Sequence, residues 1–250
     1  MAGRQDTDRS RRGDGIVMTR VWAALVLGAA LLFAASPLFT QGFNGFEPDQ
    51  FPVPQNDPPV QPAGYAFSIW GLIYLWLVVG AGFGLLKRSD DPDWTAMRPP
   101  LVLSLAIGAT WLPVANLSPL AATVLILAML GTALFSLFRI GDTDRWFQQA
   151  PVAIYAGWLT AASSVSIGLL LGGYGILSAT WAAIVALSLG LALALIVQYR
   201  LHRAPEYGIT VIWALIGVIV ANTGPVNVAV LGLCVIGIIA VLSLRATDTE

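Results

Sequence analysis

Apolar residues occur along this chain in long runs that are separated by short polar segments. A helix of about 20 residues crosses a bilayer core of about 30 Å. We predict a membrane helix in each of eight runs: residues 21–39, 64–86, 101–117, 120–138, 150–171, 176–197, 207–222 and 226–244. The seventh run is short and precedes the breaker-rich stretch NTGPVN, so segments seven and eight form either a spanning pair or a re-entrant hairpin.

The composition indicates a chain that is embedded in lipid. Apolar residues make up 57% of the sequence and charged residues 11%, and the mean hydropathy is +0.76. A typical soluble domain has about 25% charged residues. We therefore predict an all-α, polytopic membrane protein. The single cysteine, Cys234, excludes an internal disulfide and is expected to be a small core residue.

The basic residues predict the orientation of the chain in the membrane. All 13 lysines and arginines precede the first segment, follow the eighth, or lie in alternate connections between segments. The remaining connections contain none, and the first of these, residues 40–63, carries only acidic charges. Short cytoplasmic loops collect Lys and Arg. We therefore expect both termini in the cytoplasm and residues 40–63 on the outer side.

Two interpretations of the N-terminus compete. Residues 1–17 are polar and highly charged, which is typical of a disordered tail, and Met18 is an alternative start. Basic residues, an apolar run and the small residues Ala34, Ala35 and Ser36 also fit a cleaved signal peptide. Cleavage would break the alternation of basic loops, so we expect the first segment to be a retained helix.

Residues that carry reaction chemistry are scarce in the predicted segments. None of the eight contains Asp, Glu, Lys, Arg or His, which disfavours an ion-coupled pump and leaves a serine nucleophile without a base. His202 is expected to be a solvated surface residue. No metal-ligand spacing, phosphate-binding glycine loop or nucleic-acid pattern is present. We therefore predict no catalytic residue, no metal site and no nucleic-acid partner.

An aromatic face is the most informative pattern in the second segment. Phe67, Trp70 and Tyr74 recur at helical spacing and share one side of the helix, whereas Trp76 points elsewhere. Tyr74 lies near the middle of the segment, far from the headgroup level where membrane tyrosines usually lie. Its hydroxyl is therefore expected to bond to a ligand or to a polar group across the bundle.

Two other segments repeat this combination of rings and small residues. In the fifth segment Tyr155, Trp158 and Ala162 share a face, with Ser163 beside it. In the third segment Trp111 lies just before a proline, whose ring kinks a helix and frees a carbonyl group. Such faces could line a cavity for a flat apolar ligand. In the alternative interpretation the rings pack against one another as core.

Three stretches carry a resemblance to a known family. The segment YAFSIWGLIY, with the order W-G-x-x-Y, resembles the second helix of the TspO/MBR family, the tryptophan-rich sensory proteins related to the peripheral benzodiazepine receptor. GATWLPVANLSPL is similar to the third helix of that family, and PVAIYAGWLTAASS is similar to its fifth. The resemblance covers residues 17–171, where the order and spacing of five helices agree.

The resemblance implies a five-helix bundle in residues 18–172, with a cavity that is capped by the loop between helices one and two. Residues 173–250 would then add about three transmembrane helices, as in a longer bacterial branch. Carried over by position, the ligand-binding candidates are Trp70, Tyr74, Trp111, Trp158 and Ala162, to which the helical faces add Phe67, Tyr155 and Ser163.

The resemblance also implies ligands, partners and a location. The ligand would be a porphyrin or haem, a sterol or a similar flat apolar molecule, and no cofactor is firmly required. The location would be a bacterial inner membrane, with the lipid bilayer as the main partner. The family often forms homodimers through small-residue helix faces, and Gly80 and Gly84 offer such a face.

Three functional hypotheses follow. The first is a membrane protein that binds or senses a flat apolar ligand, with the proline-rich outer loop either as a lid over the cavity or as an inert connection. The second is an exporter or facilitator, in which the additional helices complete a pathway. The third is an intramembrane enzyme acting on a lipid or isoprenoid, although no acid–base pair is visible.

Overall fold

The computed structural model describes residues 2–40, 45–224 and 226–247, and the side chains in these ranges from residue 17 to residue 246. Within this part of the chain the regular structure is helical, apart from one antiparallel bridge between Thr223 and Val226. The α-helices are α1 (Ala2–Ala35), α2 (Ile69–Lys87), α3 (Pro92–Thr95), α4 (Arg98–Leu117), α5 (Pro119–Leu137), α6 (Gln149–Gly173), α7 (Ala179–Leu201), α8 (Pro205–Ala221) and α9 (Val228–Thr247). The all-α class is confirmed.

Among the described helices, seven are long and apolar enough to cross a membrane, and α8 is shorter at 17 residues. α8 nevertheless reaches from one end of the bundle to the other. Near its start, Glu206 accepts a hydrogen bond from Arg145 in a basic loop. Just after its end, Asn222 donates one to the carbonyl of Pro59 in the connection between α1 and α2, which we call the outer loop after its predicted orientation. The chain then returns through α9, which favours the spanning pair over the re-entrant hairpin.

The N-terminal helix is longer than the sequence pattern predicts. The helical backbone of α1 begins at Ala2, whereas we expected residues 1–17 to form a disordered tail. The segment contains no proline, and once a helix has formed, each added residue gains one hydrogen bond. The apolar part of α1 packs against α2 and α4, so it belongs to the bundle.

α6 lies at the centre of the bundle. It contacts α2, α5, α7 and α8, and most of its residues are buried. Small residues permit this close packing: at Gly157 a Cβ atom would lie only 2.6 Å from the carbonyl oxygen of Tyr207 in α8. Two of the three C-terminal helices, α7 and α8, therefore pack directly against the helix that the family resemblance places fifth, and α9 packs against α7 and α8.

Gly80 and Gly84 provide close contacts, as predicted, but the contacts lie within the chain. A Cβ atom at Gly80 would overlap the carbonyl oxygen of Phe147, and one at Gly84 would lie 2.6 Å from the ring of Trp94. Both glycines are buried. The prediction of a homodimer face at these two residues is therefore wrong, because residues of the same chain already cover them.

The basic loops meet at one end of the bundle and pair with acidic residues there. Arg88 Nε lies 2.6 Å from Asp144 Oδ2, and Arg203 Nη1 lies 2.7 Å from Asp142 Oδ1. The hydrogen bond and charge of Arg88 hold the pKa of the Asp144 carboxyl below its usual range. The first pair connects the loop after α2 to the loop after α5. The second connects the loop after α5 to the short connection before α8.

Arg98 lies in a helix, whereas the sequence pattern placed it in the connection between the second and third segments. It begins α4 and is only 1% exposed. Its guanidinium donates to the carbonyl oxygens of Arg88 at 2.6 Å and Ser89 at 2.8 Å. A guanidinium carries five donors, so backbone carbonyls can satisfy it without a carboxylate. Two other expectations are confirmed, since His202 is exposed and Cys234 is buried.

Candidate functional site

A cavity of about 570 Å³ lies between α1, α2, α4 and α5. Aromatic rings form much of its wall, and the described side chains that line it include no charged residue. Its lining consists of Phe33, Pro37, Gly64, Phe67, Ser68, Trp70, Gly71, Tyr74, Gly108, Trp111, Leu112, Ile126 and Met129. We call this space the aromatic cavity.

The rings around the aromatic cavity contact one another in defined geometries. Trp70 and Tyr74 are stacked, with centroids 5.3 Å apart and planes 17° from parallel. Phe33 lies edge-on to both, at 5.7 Å from Trp70 and 5.0 Å from Tyr74. Edge-to-face and offset-stacked pairs are the favoured aromatic arrangements. The rings thus pack against one another, as one interpretation predicted, and still leave a cavity that the other interpretation requires.

Trp111 is fixed by a hydrogen bond inside the protein. Its indole N–H donates to the carbonyl of Ala122 at 2.9 Å, across the gap between α4 and α5. α5 begins at Pro119, and the hydroxyl of Ser118 accepts a bond from the backbone N–H of Ala121. The tight connection between these helices therefore sets the position of the Trp111 ring.

A second, smaller cavity of about 70 Å³ adjoins the aromatic cavity. Phe67, Trp70, Trp111 and Ile126 border both spaces. The second wall comes mainly from α6, α7 and α8, and we call this space the aliphatic crevice. Its other lining residues are Gly45, Phe46, Gln61, Pro62, Trp158, Thr160, Ala161, Ala162, Ser164, Val165, Ser166, Leu169, Leu187, Gly190, Leu191, Val211, Ala214, Leu215 and Val218.

The outer loop between α1 and α2 covers the end of the bundle at which the aliphatic crevice lies. Phe46, Gln61 and Pro62 line the aliphatic crevice, and the Phe46 ring lies 6.4 Å from Trp111. Gln50 Nε2 donates to the carbonyl of Ala115 at 3.0 Å, which ties the loop to the end of α4. Further backbone bonds join Val53 to Gly173 and Ala63 to Gly217. In the part that the structure describes, the loop is therefore packed onto the cavities.

Six of the eight predicted site residues line the two cavities. Phe67, Trp70 and Trp111 border both, Tyr74 borders the aromatic cavity, and Trp158 and Ala162 border the aliphatic crevice. Tyr155 and Ser163 line neither cavity. Tyr155 is fully buried, and its hydroxyl lies 3.0 Å from Ser104 Oγ, which donates to the carbonyl of Met129.

Sequence reasoning missed the contributions of α1, α7 and α8. Phe33 is an aromatic residue near the outer end of the first segment, and a search for rings at that depth would have found it. The residues of α7 and α8 are mostly aliphatic, so composition does not separate them from lipid-facing residues. They also lie outside the five helices that carry the resemblance.

Three polar groups near the cavities lack partners among the described residues. The indole N–H of Trp158 and the hydroxyl of Ser163 are buried and make no hydrogen bond. No hydrogen bond of the Tyr74 hydroxyl is found either, so its expected bond to a polar group across the bundle is absent. A buried donor that lacks a partner costs about 1–3 kcal/mol, which applies to Trp158 and Ser163, whereas Tyr74 is only half-buried. A bound molecule with acceptor oxygens could satisfy the groups of Trp158 and Tyr74, which line the cavities, but not that of Ser163.

Comparison with known proteins adds one finding. A family model described as TSPO-like protein matches residues 53–245. The match begins in the outer loop and includes α7, α8 and α9, whereas the resemblance covered residues 17–171. The division into residues 18–172 and 173–250 stays a prediction, and both parts line the cavities. Neither a curated protein nor a solved structure matches the chain.

Proposed function

This chain belongs to the TSPO-like protein family, and from that premise we propose that it is a multi-pass membrane protein that binds or senses a flat, apolar small molecule. The aromatic cavity is the single observation that supports this proposal most strongly. Its volume of about 570 Å³ is within the range of about 300–1,000 Å³ that is usual for small-molecule sites.

The lining of the cavity favours a neutral, flat ligand. The stacked pair Trp70 and Tyr74 presents nearly parallel ring planes, on which another planar molecule can stack. The described lining residues carry no charge, so a charged group on the ligand would find no oppositely charged partner among them. A sterol or isoprenoid-like molecule therefore fits this wall better than a tetrapyrrole whose carboxylates enter the cavity.

The location that accompanies this function is a bacterial inner membrane, with both termini in the cytoplasm. Charged pairs gather at the end of the bundle that holds Arg88, Asp144 and Arg203, and the outer loop with its acidic residues lies at the other end. Basic loops face the cytoplasm in most membrane proteins. The cavities lie nearer the outer loop, because Phe46 and Pro62 form part of their lining.

Equilibrium binding to the purified chain in lipid nanodiscs tests the proposal. Tritiated cholesterol serves as a neutral flat probe, and empty nanodiscs measure its partition into lipid. Saturable binding above that background, without chemical change of the probe, is the expected result. Flux of the probe across vesicles would instead support the exporter hypothesis, and an altered product would support the enzyme hypothesis. Binding that does not saturate would contradict a defined site for this probe.

A further inference from the structure

The two adjoining cavities differ in the chemistry of their walls. The aromatic cavity is wide and lined by rings, whereas the wall that α7 and α8 give to the crevice is aliphatic, with Leu187, Leu191, Val211, Leu215 and Val218. Planar groups gain from contact with aromatic faces, and flexible chains pack against aliphatic side chains. One molecule that occupied both spaces would therefore need two chemically distinct parts.

We propose that the ligand is a ring–chain lipid: a planar ring with an acceptor oxygen in the aromatic cavity, joined to an aliphatic chain in the crevice between α6, α7 and α8. This inference rests on the proposed function and specifies the class of its ligand. Phe67, Trp70, Trp111 and Ile126 border both spaces, so the point where ring and chain join lies among these four residues.

The close approach of α6 and α7 beside the crevice favours a chain over a second ring. Gly190 of α7 faces Ser164 of α6, and a Cβ atom at Gly190 would lie 2.8 Å from both Cβ and Oγ of Ser164. That serine is held in place, because its hydroxyl donates to the carbonyl of Ala186 at 2.6 Å. The two helices are thus as close as a missing side chain permits, and the crevice measures about 70 Å³.

Trp158 supplies a polar contact at the junction. Its side chain is 2% exposed, its N–H has no partner among the described residues, and it borders the crevice. Its ring lies edge to face with Phe67 at 5.9 Å and with Trp70 at 6.2 Å, and both of these border the two spaces. An oxygen on the ring of the ligand, close to the chain, would accept this hydrogen bond.

Three probes that share chemical parts test the inference. The first, 2-methyl-1,4-naphthoquinone, is a ring with two acceptor oxygens; the second, geranylgeraniol, is a chain alone; the third, menaquinone-4, joins the same ring to the same chain. Affinities are measured in nanodiscs and corrected for partition into lipid, because lipid also solvates the chain. We expect menaquinone-4 to bind about tenfold more tightly than the ring alone, which corresponds to about 1.4 kcal/mol.

Two substitutions separate the ring site from the chain site. Leu187→Phe narrows the crevice from α7 and Ala214→Val narrows it from α8, because both residues line it. Each is expected to reduce menaquinone-4 affinity to that of the ring alone. Neither should change the affinity of the ring alone. Leu189→Phe is the matched control on α7, since Leu189 is 55% exposed and lines neither cavity. Thermal unfolding of each variant verifies that it folds. Because the two variants lie on different helices, the test can still be made if one of them does not fold.

The outcomes distinguish this inference from the proposed function. If the ring alone and menaquinone-4 bind with equal affinity, and neither narrowing variant changes the affinity for menaquinone-4, the ring–chain class is wrong. The protein would then still be one that binds a ring. Binding of geranylgeraniol as tight as that of menaquinone-4 would also overturn the ring–chain class. Absence of saturable binding by these probes and by cholesterol would contradict the proposed function itself.

Discussion

The phenol of Tyr74 lies stacked against the indole of Trp70, with centroids 5.3 Å apart, in the middle of a helix that is apolar enough to cross a membrane. Phe33 contacts both rings edge-on, at 5.0 Å from Tyr74 and 5.7 Å from Trp70. The ring of Tyr74 is therefore held by its neighbours, whereas its hydroxyl makes no hydrogen bond that the described residues show. A polar group with a fixed position and no partner is suited to a ligand.

Tyr74→Phe should lower ligand affinity much more than it lowers stability. The substitution removes only the hydroxyl, and no described partner is lost, so the free energy of unfolding should change by less than about 0.6 kcal/mol. If the hydroxyl bonds to the ligand, affinity should fall about 5- to 150-fold, the equivalent of about 1–3 kcal/mol. Thermal unfolding and equilibrium binding measure the two effects separately.

Tyr207→Phe is the control, because it should lower stability and leave ligand affinity unchanged. The Tyr207 hydroxyl lies 2.9 Å from Thr160 Oγ1 and the ring lines neither cavity. Its removal should lower the unfolding temperature and leave the affinity of folded protein nearly unchanged. A Tyr74→Phe protein that binds like the parent but unfolds earlier would show that Tyr74 is core.

The outer loop should slow the release of ligand. Gln50→Ala removes the bonds from Gln50 Nε2 to the carbonyls of Ala115 and Asn116, at 3.0 and 3.2 Å, and so loosens the loop from α4. Ligand dissociation should become several-fold faster, and amide hydrogens of residues 45–63 should exchange sooner. Asn56→Ala, at an exposed loop position, is the amide control and should change neither rate.

Equal dissociation rates for Gln50→Ala and the parent protein, together with faster exchange in the loop, would show that the loop is an inert connection. This was the alternative interpretation of the proline-rich segment.

Periodicity predicted most of the fold and part of the site. Runs of apolar residues located the membrane helices, and helical spacing placed Phe67, Trp70 and Tyr74 on one face. Spacing identifies a face but not its neighbour: Tyr155 shares the face of Trp158, yet its hydroxyl bonds to Ser104 in α4. The pairing of helices decides this, and a single sequence does not contain it.

Sequence patterns could not predict that α7 and α8 line the aliphatic crevice. Leu191 and Leu215 line the crevice, whereas Leu189 is 55% exposed, although all three are leucines in long apolar helices. Hydropathy is equal for a residue that faces lipid and one that faces a cavity. The close approach at Gly157 and Gly190 determines which side faces α6, and this emerges only from the packed structure.

Stability should depend on pH through Asp144 in the acidic range. Arg88 holds the folded-state pKa of this carboxyl below its usual value. A depressed pKa stabilises the fold above the unfolded pKa of about 4, and this contribution is lost as the pH falls through the folded value. Asp144→Asn should lower stability by about 1 kcal/mol at neutral pH, since the Arg88 side chain is 40% exposed and partly screened.

The difference in stability between Asp144→Asn and the parent should therefore shrink below about pH 4. Thermal unfolding in detergent across this range measures it. Asp142→Asn serves as the control, because the Asp142 side chain is 94% exposed and its pair with Arg203 should contribute little. A constant difference at all pH values would contradict the role of the Asp144 charge.

The orientation of the chain can be read from accessible cysteines. The native Cys234 is buried, so it should give little background labelling. Asn56→Cys in the outer loop should react with a membrane-impermeant maleimide on intact spheroplasts, whereas Asp142→Cys should react only after permeabilisation. The reverse pattern would place the basic loops outside and invert the predicted topology.

Two tryptophans of α2 test the central claim most directly. Trp70 lines both cavities, whereas Trp76 lines neither, and donates to the carbonyl of Trp146 at 2.7 Å. Equilibrium binding of tritiated cholesterol in nanodiscs is measured for the parent, Trp70→Ala and Trp76→Ala. We predict a loss of affinity of about tenfold or more for Trp70→Ala, from lost contact area, and parent-like affinity for Trp76→Ala. Equal losses in the two variants would show that the aromatic face of α2 is structural core and would contradict a ligand site in the aromatic cavity.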